Sequence, residues 1–150
     1  MQILLLLLLT AAGAFALRSW TKHRTRRQLL ASPLTDPQRA IVADAVPLTQ
    51  KLPSDLRARL EGKINAFLHQ IEFIGASGVQ VTDAMRLSIA AQACLLVVNR
   101  ETWYDHLRTI IIYPAAFTSR RAERHGYVVT ERDTTRLGES WARGPVVLSW

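Results

Sequence analysis

The chain has 150 residues, 49% of them hydrophobic, with 7 glycines and 6 prolines, which excludes a disordered or low-complexity polymer and sets a single domain as the expectation. Its net charge of +7 is concentrated at one end: Arg18, Lys22, Arg24, Arg26 and Arg27 precede the first acidic residue, Asp36, and the remainder is close to neutral. A short basic cluster gives the body no charged face for a phosphate backbone, so nucleic acid is excluded as a partner.

Ile3 to Leu17 is apolar apart from Thr10, and Arg18 to Arg27 is strongly basic. A helix through this stretch spans roughly 23–26 Å, a little short of a hydrocarbon core of about 30 Å, and snorkelling Arg and Lys stems would lengthen it. Trp20 suits the interfacial belt, and Arg18, Lys22, Arg24, Arg26 and Arg27 form a flank that contacts membrane lipid. The expectation is a transmembrane signal-anchor helix over residues 1–20. A basic juxtamembrane linker at 21–36 and a body at 37–150 follow it. The positive-inside rule places the body in the cytoplasm, as a single-pass protein of a bacterial inner membrane with its N-terminus outside. Ala14-Phe15-Ala16 also matches a signal-peptide cleavage pattern, but no charged region precedes the leucine run and the basic cluster opposes export.

Asp36-Pro37 opens a short helix with Ile41, Val42, Ala45 and Val46 on one side, ended by Pro47. Ser54 is positioned to cap a second helix, with Asp55 complementing its dipole. In that helix Leu56, Leu60, Ile64, Phe67, Leu68 and Ile71 form an apolar stripe, and Arg57, Arg59, Glu61 and Lys63 are assigned to solvent. Glu72-Phe73-Ile74 is ambiguous, Gly75 to Gly78 is a turn, and Val79-Gln80-Val81 alternates like a short strand. Thr82-Asp83 caps a third helix reaching about Asn99, apolar nearly all round and therefore central. The single cysteine, Cys94, lies within it; an intramolecular disulfide is excluded, and a buried, inert thiol is predicted. Arg108 to Tyr113 is a β-branched strand ended by Pro114. Ser119 to Gly126 reads as an exposed loop, followed by a short Tyr127-Val128-Val129 strand and a terminal strand from Pro145 to Ser149. Helices precede strands, so the class is α+β.

Four segments, in order, resemble the zinc peptidases of the Mlc titration factor A family: Pro53 to Leu60, Val79 to Asp83 with Ile89 to Leu96, Ile110 to Phe117, and Ser140-Trp141 through Gly144-Pro145-Val146-Val147-Leu148-Ser149-Trp150. They cover most of the chain from about Arg27 onward. The resemblance implies a zincin-like domain related to the catalytic domain of anthrax lethal factor. It implies zinc held by two histidines of a His-Glu-x-x-His helix and a later carboxylate, with the Glu polarising a zinc-bound water. It also makes Val146, Val147 and Leu148 candidates for pairing with an extended peptide substrate, or core residues only. An Mlc-type transcriptional repressor is the alternative partner.

No His-Glu-x-x-His occurs in these residues. The four histidines, His23, His69, His106 and His125, include no pair at helical spacing. There is no Gly-x-Ser-x-Gly elbow, phosphate-binding Gly loop or Cys-x-x-Cys. The expectation is therefore the N-terminal portion of a metallopeptidase domain, incomplete at its C-terminus, inactive and without zinc on its own. The alternative is a non-catalytic binding protein that sequesters a regulator.

Overall fold

The computed structural model describes residues 13, 17–18, 20–21, 23–114, 117–125, 128–136, 138–140 and 144–150, with 117–136 and 139–140 described as backbone. Residues 23–31 are helical and form α1. Its C-terminal end lies directly on a later helix, α3 (Ser54–Gln70). At Gly62 of α3 a Cβ would lie 2.0 Å from the Leu30 carbonyl oxygen, so only glycine admits this approach. Asn65 Nδ2 donates to the Ser32 carbonyl at 2.8 Å, fixing the exit from α1.

The N-terminal expectation is corrected at this point. Among the described residues no helix is long and apolar enough to cross a membrane, so neither the transmembrane helix of residues 1–20 nor the single-pass inner-membrane placement is supported. The helix described at this end, α1, carries Arg24, Arg26 and Arg27 and lies against the body, which is not the composition of a membrane span. The apolar run Ile3–Ala12, the Ala14-Phe15-Ala16 pattern and Lys22 lie outside the described residues.

Helix α2 (Asp36–Ala45) begins where the sequence places it. Gln38 Oε1 accepts from the Thr35 backbone N–H at 3.0 Å, part of a capping box. Pro47 ends α2 and starts a 3₁₀ turn, Pro47–Lys51. In α3 the capping expectation fails: Pro53 occupies the cap position and Ser54 is already helical. Leu60, Ile64 and Phe67 are buried as the stripe predicts, but Glu61, assigned to solvent, is only 8% exposed.

Strand β1 (Glu72–Gly75) follows, resolving the ambiguity at 72–74. Ser77 and Gly78 take φ of 53° and 85°, turning the chain away, and Val79–Val81 is not a strand. Val79 and Val81 alternate with Gln80 because they pack on the core rather than pair. Thr82 caps α4 (Asp83–Val97) by accepting from the Met85 N–H at 3.2 Å, as expected. Ala90, Ala91 and Cys94 are fully buried within α4, whereas Leu96 is 77% exposed. Burial pushes the Cys94 thiol up to about 12, so it packs as an apolar group.

The strands β2 (Thr109–Tyr113), β5 (Gly138–Ser140) and β6 (Val146–Ser149) join β1 in a sheet of order β1-β2-β6-β5. β1, β2 and β6 are parallel, and β5 is antiparallel to β6. Between β2 and β5 the chain forms a separate antiparallel hairpin, β3 (Phe117–His125) with β4 (Val128–Arg136). The exposed loop expected over Ser119–Gly126 is therefore largely strand. Its sequence is nearly all polar, so no hydrophobic alternation marks it, and the pairing rests on the backbone ladder. The architecture is mixed helix and strand, with Ile110 and Ile112 of β2 buried in the same core as α3 and α4.

Candidate functional site

β2 and β6 are the elements that the family motifs mark, and both are β-branched runs that suit a sheet with buried strands. Ile110 pairs in register with Val146, Ile111 with Val147 and Ile112 with Leu148. Trp150 N–H then donates to the Tyr113 carbonyl at 2.9 Å, extending the ladder past β6. Val146 and Leu148 pack on the helix-side core. Val147 shares the opposite face with Ile111 and with Ile74 of β1, the last 42% exposed.

β6 is an interior strand. On its other side Leu148 pairs with Gly138, Val147 with Glu139 and Val146 with Ser140. All three residues singled out as a substrate edge thus have a strand paired in register on both flanks. Among the described residues the outer strands of the sheet are β1 and β5.

The basic residues occupy two places. Arg18, Trp20, Arg24 and Arg27 are exposed, and the Arg24 guanidinium lies 5.6 Å from the centre of the Trp20 ring. Arg26 instead turns to the body, 5.3 Å over Trp103.

Glu61 is the buried carboxylate that the sequence reading missed. It accepts from the Leu34 N–H at 3.0 Å and from Arg39 Nε at 2.8 Å and Nη2 at 3.2 Å. Burial pushes its carboxyl up, but the hydrogen bonds from Arg39 and Leu34, with the charges of Arg39 and Arg57, bring it below its usual value. The signal was available: Glu61 is next to Leu60 and three before Ile64, inside the apolar stripe. Its role is structural, tying the segment before α2 to α3.

Among the described residues no three His, Cys, Asp or Glu side chains converge. His23 on α1, His69 in the last turn of α3 and His106 before β2 are exposed and lie on different elements, and His125 ends β3.

The sequence pattern of the glucose-regulated metallo-peptidase M90 matches residues 19–150. An uncharacterized protein of Synechocystis sp. is 41% identical over 151 residues, covering 99% of this chain and 54% of the relative. Mlc titration factor A of Salmonella arizonae is 30% identical over 109 residues, covering 71% of this chain and 43% of the relative. The corresponding protein of Enterobacter sp. is 29% identical, with 41% of its length covered. The chain spans about half the length of the curated relatives it matches.

Proposed function

Because the chain belongs to the glucose-regulated metallo-peptidase family M90, we propose that it serves a zinc-dependent peptidase as the scaffold on which the metal-bearing helix docks. The observation that carries this reading is the family match across 19–150, which includes the parallel β2–β6 pair. In open sheets containing parallel strands, ligands sit beyond the carboxyl ends of those strands, the end reached by Tyr113 and Trp150. The His-Glu-x-x-His helix and its zinc, which the family resemblance implies, would come from sequence outside these 150 residues. An extended peptide would then be the substrate, approaching the sheet from an outer strand, since β6 is paired on both sides.

A hybrid tests this reading. Residues 1–150 are joined to the remaining half of the Synechocystis relative and compared with that intact relative on one fluorogenic peptide library. Chelator-sensitive cleavage by both is expected. A folded hybrid that leaves untouched every peptide the intact relative cleaves would overturn the proposal.

A second reading rests on the printed name of the Mlc titration factor A relatives, whose similarity covers 71% of this chain. Here the chain holds an Mlc-type repressor without cutting it. In the same experiment this reading predicts a stable complex between residues 1–150 and purified Mlc, with no chelator-sensitive cleavage by the hybrid.

A further inference from the structure

α1, the C-terminal turn of α3 and the connection entering β2 enclose a groove of about 420 Å³. Thr25 and Arg26 contribute from α1, His69 and Gln70 from α3, and Trp103 and Arg108 from the connection; no lining residue carries a carboxylate. Among the described residues the ion pairs all belong to Arg39, so neither Arg26 nor Arg108 has an acidic partner. The charge is reinforced from behind. Lys63 on α3 donates to the carbonyls of Val97 and Arg100. Burial lowers the Lys63 pKa, Cys94 opposes this, and the guanidiniums of Arg26 and Arg59 lower it further. Arg26 and Arg108 line the groove with no carboxylate among its lining residues, so an anion there would meet cationic side chains and no competing acid.

The groove wall is fixed before any ligand arrives. Trp103 Nε1 donates to Gln70 Oε1 at 2.7 Å. Gln70 Nε2 donates to the carbonyls of Tyr104 at 2.7 Å and Leu107 at 3.0 Å, so its amide orientation is set. Phe67 meets Trp103 edge-on, with ring centres 6.4 Å apart. The Arg26 guanidinium rests on the indole thus held. An arginine already stacked loses less freedom on binding than a free one.

We propose that this groove binds a phosphate monoester of hexose-phosphate to mononucleotide size. The Arg26 guanidinium and the remaining N–H groups of Arg108, whose Nη1 donates to the Leu107 carbonyl at 3.2 Å, are donors suited to a tetrahedral oxyanion, and Thr25 and His69 also line the groove. The volume falls within the ordinary range for small-ligand sites and exceeds what a bare phosphate fills, leaving room for an organic group against Leu29 and Trp103. A long polyanion is disfavoured: Arg24 and Arg27 line a separate groove with Trp20 and His23, and the sequence from Asp36 onward is close to neutral. The inference stands apart from the peptidase reading, because none of these residues belongs to β2 or β6.

The test is a ¹H–¹⁵N titration of the full 150-residue chain, following the Trp103 indole N–H identified from a Trp103→Phe spectrum. Inorganic phosphate, glucose 6-phosphate and adenosine monophosphate are added at ionic strength held constant with sodium chloride. Saturable shifts are expected, with at least one ester binding tighter than inorganic phosphate. Arg26→Ala and Arg108→Ala should each weaken that ester about tenfold or more, the loss of a charge-assisted hydrogen bond. The proposal is overturned if sodium chloride alone reproduces the wild-type shifts. It is equally overturned if no ester binds tighter than phosphate, if hexaglutamate binds tighter than every ester, or if folded Arg26→Ala and Arg108→Ala variants bind unchanged. The wild-type arms decide the matter even if a variant fails to fold.

Discussion

Glu61 shows how one side chain can organise the space between two helices. It faces the Leu34 N–H and the Arg39 guanidinium at once, so removing it orphans a buried backbone donor as well as an ion-pair partner. Glu61→Ala should therefore lower unfolding stability by about 1–3 kcal/mol, read as a lower urea midpoint. Its pH dependence has a definite sign. The folded-state pKa lies below the ordinary value of 4.5, so the contribution is fully present above about pH 4.5 and is lost as pH falls through the lower folded value. The urea midpoint of the wild type should fall more steeply than that of Glu61→Gln between pH 5 and pH 3. Parallel pH profiles for the two proteins would assign the acid sensitivity elsewhere. Had the stripe of α3 been drawn as 60, 61, 64, 67, 68 and 71, this burial could have been read from the sequence; charge alone argued for solvent.

At the scale of elements, what was legible follows from which signals are local. Thr82 caps α4 and Pro47 ends α2 because such groups act within a turn of chain. The β-branched run at Thr109–Tyr113 forms β2 because its alternate residues enter a core. The docking of α1 depends instead on a distant glycine, and nothing near Leu30 announces it. Gly62→Ala would improve the helix propensity of α3 while driving a methyl into the Leu30 carbonyl. The expected outcome is loss of hydrogen-exchange protection across residues 24–31, with Ala90 and Cys94 in α4 still protected. Unchanged protection in both helices would show that α1 tolerates the methyl and that this contact does not position it. A shift of α1 in this variant should also carry Arg26 away from Trp103 and widen the cationic groove.

Across the whole molecule, the sheet depends on pairing between segments far apart in sequence, and neither parallel order nor the interior position of β6 can be read from local pattern. The family motifs located β2 and β6 but could not say that β5 would occupy the flank of Val146–Leu148. The β3–β4 hairpin lies inside the β2-to-β6 connection yet forms its own two-stranded sheet. If it is an accessory to the scaffold rather than a strut, replacing residues 117–136 with a short Gly-Ser linker should leave the β2–β6 ladder intact. The entropy of closing a loop changes only by about 0.6 kcal/mol per doubling of length, so the replacement itself is nearly neutral. Amide exchange at Ile110, Ile111 and Ile112 reads the outcome directly, since these residues pair with β6. Retained protection would separate the hairpin from the folding of the sheet and leave it free to serve substrate or partner. Lost protection would mean that the hairpin holds β6 in register, and that the scaffold proposed for the peptidase includes it.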